Sequence, residues 1–257
     1  RGYDSSGIAL HEGKIVFSKK EGPIINLESI LKSSDAKMAI AHTRWATHGV
    51  PSDTNSHPHL SNDGKIAVVH NGTIDNYLDI KSMLEEEGFE FLSESDTEVI
   101  PNLISKYYDG DLVKAVSKIL DIIEGIYTIA AIHVDNSEQI VSVRNETPLV
   151  IGLGNDENYV ASDIYAILKY TQQIIYPNDH QIVSVSPGEV NVFDESLSKI
   201  EFEVETVEKY TEVAEKGGFE HFMLKEIFEQ PKALQDSQTE LFVNSPLDKL
   251  NLNWKIG

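Results

Sequence analysis

Four short segments concentrate side chains able to bind and transform a small molecule: Arg1-Gly2-Tyr3-Asp4-Ser5-Ser6-Gly7, Ala41-His42-Thr43-Arg44-Trp45-Ala46-Thr47-His48-Gly49, Val69-His70-Asn71-Gly72 and Ser93-Glu94-Ser95-Asp96-Thr97-Glu98. Arg44 offers a planar fork of donors suited to a two-point grip on a carboxylate, although a surface salt bridge at a strand end uses the same fork. Asp96 stands inside a capping pattern, because Ser95 and Glu98 have capping-box spacing and an acidic residue in a first helical turn is favoured by the macrodipole. Asn71-Gly72 alone reads as a tight turn, yet helical spacing rather than a second strand follows it. Trp45 also fits a core anchor, and His48 a satisfied loop histidine.

The rest of the composition removes several chemistries. The sequence has no cysteine, which excludes disulfides, thiolate metal sites and a cysteine nucleophile from the residues given. In the close pair His57-Pro58-His59 the proline disrupts the helical spacing that a metalloprotease pair needs, so no metal site is expected. With 42 acidic against 21 basic side chains the formal charge is −21, and such a surface repels nucleic-acid phosphates and anionic membranes. Neither partner is expected. No apolar run reaches the ~18 residues a membrane span needs, and no apolar signal segment opens the chain at Arg1, so the expected setting is cytoplasmic.

The polar segments need a scaffold to position them. At 257 residues, 40% hydrophobic, the chain can build one large domain or two small ones. Short runs rich in Val and Ile predict strands over 7–10, 14–17, 37–42, 66–69, 127–134, 139–144, 149–152, 159–161, 181–186 and 189–193. Ile200, Phe202 and Val204 alternate with Glu201, Glu203 and Glu205, the pattern of a strand with one wet face. Helical spacing links Ile74, Tyr77, Leu78 and Leu84, then Val99 to Tyr107, then Leu112 to Ile123. Strands outnumber helices and come in hairpin-like runs, which fits a layered α+β sandwich better than a βαβ alternation. Gly152-Leu153-Gly154 lacks the third glycine and the helix of a phosphate loop and reads as a turn. After Lys216-Gly217-Gly218 the texture changes to a helical stretch, 219–234, and then to a polar segment from Gln235. The expected division is therefore residues 1–216 as one domain and 217–257 as a helical exit segment and linker.

In this order and at these separations, the four segments resemble those of the glucosamine-6-phosphate synthase family, whose glutaminase half is a class II glutamine amidotransferase. The resemblance runs over nearly all of residues 1–231 and is closed by Gly218-Phe219-Glu220-His221-Phe222-Met223-Leu224-Lys225-Glu226-Ile227 and Glu229-Gln230-Pro231. It implies a four-layer αββα sandwich of the N-terminal nucleophile hydrolase type. It also implies hydrolysis of L-glutamine to glutamate and ammonia through a thioester, without cofactor or metal. In that family a cysteine at the mature N-terminus attacks the amide and its α-amine, with an ordinary pKa near ~8, is the base. That cysteine lies upstream of the Arg1-Gly2-Tyr3 segment, so Arg1 is not expected to be the true start, and the 257 residues alone are expected to be inactive. Fructose 6-phosphate enters only through an isomerase domain beyond the linker, and the full-length enzyme is compatible with a homodimer.

The same resemblance implies roles for individual residues. Arg44 binds the glutamine α-carboxylate and Asp96 the α-ammonium. The Asn71 side-chain amide and the Gly72 backbone N–H form the oxyanion hole. Trp45, Thr47 and His48 belong to the loop that closes over substrate, while Arg1 and His57 link the site to the acceptor domain. Two other readings stand beside this one: a regulatory module that keeps the glutamine pocket without a nucleophile, and a class II amidotransferase that feeds a different acceptor.

Overall fold

A computed structural model describes residues 4–207, 218–219 and 222–244. In chain order its elements are β1 (Ser5–His11), β2 (Ile15–Glu21), α1 (Ile24–Glu28), β3 (Ala39–Arg44), β4 (His59–Leu60), β5 (Ile66–Ile74), α2 (Tyr77–Glu86), α3 (Val99–Tyr107) and α4 (Leu112–Leu120). They continue with β6 (Gly125–His133), β7 (Ile140–Asn145), β8 (Val150–Leu153), β9 (Asn158–Ala161), β10 (Gln173–Ile175), β11 (Ile182–Val185), β12 (Val190–Phe193), β13 (Lys199–Ile200), β14 (Glu205–Thr206) and α5 (Phe222–Asn244). Two 3-10 turns, Asp96–Glu98 and Ile164–Ala166, complete the set.

The strands assemble into three antiparallel sheets. One has the order β2-β1-β3, a second β14-β10-β8-β9, and the largest β13-β12-β11-β7-β6-β5-β4. Period-two alternation in β5 and β6 decides what each face meets. Ile66, Val68, Ile129 and Ala131 pack with residues of α2, α3 and α4, such as Leu84, Leu103 and Val116. Ala67 and Ile132, on the other face, pack with Ala9, Met38 and Ile40 of the three-stranded sheet side. The four-stranded sheet covers the remainder of that face, through Leu149, Ile151 and Ile175 against Val183, Val185 and Val192. Helices, large sheet and paired small sheets therefore stack as layers, with short α1 against β1 and β2.

The close approach of layers is visible at Gly7 on β1, where a Cβ would stand 2.0 Å from the His57 carbonyl oxygen. Any larger residue there forces the His57 segment away from the sheet.

Several local expectations give way to tertiary structure. Asn71 and Gly72 form no turn; both lie in β5, opposite Thr128 and Tyr127 of β6. The alternating 200–205 segment is not one strand. It leaves the large sheet at β13 and joins the four-stranded sheet at β14, with residues 201–204 in neither, while Ile200 and Phe202 pack on the core between the sheets. The alternation records a crossing segment with one buried side. Gly152 and Leu153 belong to β8, and the turn falls after them, where a Cβ on Gly154 would lie 2.3 Å from the Glu157 oxygen.

By contacts the chain divides into Arg1–Val207 and Glu208–Gly257. In the second unit α5 runs to Asn244 through Pro231, well past the polar stretch that begins at Gln235. Gln, Asp, Glu and Lys are compatible with helix, and the next breaker in the sequence is Pro246, which disfavours helix in the residue before it. Among the described residues no helix is long and apolar enough to cross a membrane.

Leu103 is fully buried in the helix–sheet core. Leu103→Ala is expected to lower unfolding free energy by about 2–5 kcal/mol in urea titrations at unchanged slope; a loss below about 1 kcal/mol contradicts this packing.

Candidate active site

Two strands from facing sheets build the centre of the site. Ile40, His42 and Arg44 share one face of β3, and Ala67, Val69 and Asn71 share the face of β5 opposite it. Deep in the sandwich these faces meet through apolar groups. Where the strands run out they meet through polar ones: His42 Nε2 lies 2.8 Å from Asn71 Oδ1. Beyond this contact a cavity of about 610 Å³ opens, lined by Arg44, Trp45, Thr47, Asn71, Gly72 and Asp96 among others. Seven of the residues singled out by sequence, His57 included, are thus brought together from segments up to 52 positions apart.

Arg44 is 4% exposed, which removes the surface salt-bridge reading. Its Nη2 donates to the His48 and Gly49 carbonyls, while Nη1 is buried without a partner. Burial pushes the guanidinium below its ordinary pKa, and the carboxylates of Asp96 and Asp4 pull it back up. Asp96 is equally enclosed, 3% exposed, and its Oδ2 accepts the Ile74 N–H at 2.9 Å. Its Oδ1 stands 3.8 Å from His48 Nδ1.

The capping box takes a different form from the one its spacing suggests. Ser95 accepts from Thr97 N–H, two residues on, and Glu98 reaches back to the N–H groups of Leu92 and Ser93 at 2.9 and 2.7 Å. The carboxylate of Glu98 therefore pins the loop before the 3-10 turn, leaving Asp96 to face the cavity. Asn55 ties this loop to the Arg44 loop, donating to Val50 O and Glu94 Oε2 and accepting from Glu94 N–H. Asp4 does the same from β1's side, its Oδ2 accepting the Ala46 N–H at 2.7 Å.

Gly72 has φ +119°, and a Cβ there would sit 1.9 Å from the Ile126 carbonyl oxygen. Only glycine can hold this backbone against β6. Trp45 is 74% exposed at the mouth, so it is no core anchor. His48 leans edge-on against Tyr77. Arg1 lies outside the described residues.

A histidine wall stands behind the cavity, with little local signal in the sequence. His57 stacks on His42 with ring centroids 4.3 Å apart, accepts the His70 N–H at Nδ1, and touches Thr97 Oγ1, which also bonds His70 Nδ1. Burial pushes His42, His57, His59 and His70 below the ordinary imidazole pKa, His70 to about 4. The wall is polar but neutral. Of these, His42 was legible in principle, as the i−2 neighbour of Arg44 on one strand face; His70 and Thr97 were hidden because their partners are remote. Among the described residues no three His, Asp or Glu groups converge on a metal position.

The fold agrees with the comparisons. Residues 42–169 match the family described as a glutamine amidotransferase domain, and the chain belongs to the class II glutamine amidotransferases, with the α+β architecture of the N-terminal nucleophile hydrolases. It is similar to the glutamine--fructose-6-phosphate aminotransferase [isomerizing] of Caldanaerobacter subterraneus subsp. tengcongensis, 49% identical over 261 residues, covering 98% of this chain and 42% of that protein. The enzyme of the same name from Aquifex aeolicus is 49% identical over 240 residues, covering 92% and 40%. The chain thus spans less than half the length of these relatives. Among solved structures, a glutamine phosphoribosylpyrophosphate amidotransferase from B. subtilis aligns with TM-score 0.63 and 25% identity, over 77% of this chain and 44% of that one.

A pH dependence follows from the neutral wall. His70 has a folded pKa near 4, below the ~6.5 of an unfolded histidine, so its stabilisation is complete above that unfolded value and is lost as pH falls toward 4. His70→Gln, which cannot take up this proton, is expected to give a shallower loss of unfolding free energy between pH 7 and pH 4.5; parallel curves for the two proteins contradict the assignment.

Proposed function

We propose that this domain hydrolyses L-glutamine and passes the ammonia to a second domain that makes glucosamine 6-phosphate from fructose 6-phosphate. The observation that carries the reading is the convergence of Arg44, Asp96 and the Asn71-Gly72 pair on one cavity. A cation and an anion fixed in the same hollow suit the two charged ends of a free amino acid, with Arg44 taking the α-carboxylate and Asp96 the α-ammonium. The Asn71 amide and the Gly72 N–H lie on the same wall and suit the oxygen of a tetrahedral intermediate.

The nucleophile is a cysteine outside the 257 residues, which contain none. Its thiol gives its proton to its own α-amine and the sulfur bonds to the amide carbon. The resulting oxyanion collapses, the C–N bond breaks with the proton delivered to nitrogen, and ammonia leaves. Water then cleaves the thioester to glutamate. Trp45, Thr47 and His48 form the loop that closes over the substrate and limits loss of ammonia to water. The relay from His57 and Arg1 to the acceptor domain, and dimerisation of the whole enzyme, belong to the same proposal.

Two measurements test it. Asp96→Asn keeps an acceptor for the Ile74 N–H but removes the charge. Calorimetric titration is expected to show L-glutamine binding about 10–100-fold weaker, with the melting temperature within a few degrees of wild type. Equal affinity for glutamine overturns the ammonium assignment. In the full-length protein Asn71→Ala is expected to lower glutaminase kcat by about 10²–10³ with KM little changed; an unchanged kcat removes Asn71 from the oxyanion hole.

A further inference from the structure

We propose that His42 is a positioning residue that sets which way the Asn71 amide faces. This rests on the oxyanion reading above. A primary amide helps an oxyanion only when its NH₂ points at it; rotated by half a turn, it presents an oxygen and repels the charge. The two orientations have nearly the same shape, so packing alone does not choose between them. A hydrogen-bond partner must.

That partner is His42, whose Nε2 lies 2.8 Å from Asn71 Oδ1. The bond has two forms. If Nε2 carries the proton it donates to the amide oxygen, and the NH₂ is turned to the cavity. If Nε2 is bare it accepts from the NH₂, and the oxygen is turned to the cavity. The choice falls to the other ring nitrogen, because Nδ1 is sealed from solvent and has no hydrogen-bond partner. Placing the single proton of neutral imidazole there leaves a buried N–H donor unmade, the kind of orphan that folded proteins tolerate least. Placing it on Nε2 leaves only a bare lone pair at Nδ1. The environment therefore selects the donating form.

Two further features hold the ring in place. His57 stacks on it nearly parallel, with 18° between the planes, and His57 is itself fastened to the β5 backbone through the His70 N–H at 3.2 Å. A second proton is disfavoured by burial and by the neighbouring Arg44 charge. The strand that carries Asn71 thus orients its own amide, by way of His57 and His42. Among the titratable and charged groups facing the ring are His57, itself held neutral by burial, and Arg44, whose charge opposes a second proton.

The test compares variants of the full-length protein in a steady-state glutaminase assay. His42→Gln and His42→Glu are matched in size, but only Gln can donate to Asn71 Oδ1, whereas a carboxylate attracts the NH₂ and turns the amide over. The expected result is a kcat for His42→Gln at least about tenfold above that for His42→Glu, with KM values within about twofold. His42→Phe, which keeps a ring for stacking, is expected to lose kcat as His42→Glu does. Combined with Asn71→Ala, it is expected to fall no further than Asn71→Ala alone. Equal rates for the Gln and Glu variants, or full multiplication of the Phe and Asn71→Ala losses, overturn the proposal while leaving the oxyanion hole intact. A wild-type rate in Asn71→Ala overturns both. The Gln–Glu comparison decides the matter even if the Phe variant does not fold.

Discussion

Two sheets lie face to face with apolar residues in the depth of the sandwich and polar residues at the end of it, and this gradient along β3 and β5 is the constraint from which the site follows. Ile40 and Ala67 belong to a fully apolar contact; further along the strands His42, two residues past Ile40, meets Asn71, four residues past Ala67. The apolar part fixes the separation and register of the sheets, so the polar part needs no flexible adjustment to meet. Arg44, one more step along β3, then emerges into the cavity with its position set by the same register. A shift of one residue in β3 would place all three side chains on the wrong face.

The charges of the pocket are held by the backbone rather than by each other. Asp96 accepts a main-chain N–H from β5, Glu98 accepts two from the loop before it, and Arg44 donates to two loop carbonyls. Such bonds satisfy buried groups while keeping cation and anion apart, which leaves a space between them for a zwitterion. The neutral histidines behind the cavity add hydrogen-bonding capacity without adding charge. This division of roles explains how a chain with formal charge −21 keeps a pocket in which Arg44 can receive a carboxylate.

Much of this organisation was legible in the sequence, for physical reasons that differ from residue to residue. Helices α3 and α4 were readable because their buried sides repeat at the helical period. The four polar segments stood out because their residue types, in that order, resemble one family, and the fold brings most of them to one cavity. Asn71-Gly72 left a turn and a site role open locally, since a positive-φ glycine inside a strand has the same spelling as a turn; only pairing with β6 distinguishes them. The 200–205 alternation misled because one buried side can face the space between two sheets as readily as a ladder. His42, His57 and His70 act on one another across 13 to 28 positions, and nothing local in the sequence announces such contacts.

The proposed glutaminase activity depends on a free amino acid lying between Arg44 and Asp96. A crystal structure of the domain with L-glutamine tests this most directly. The prediction is the α-carboxylate on the Arg44 guanidinium, the α-ammonium on Asp96, and the side-chain carbonyl oxygen directed at Asn71 and Gly72. Glutamine bound elsewhere, for instance in the separate hollow lined by Lys19, His59 and Glu98, or bound in the cavity with its charged ends reversed, would contradict it.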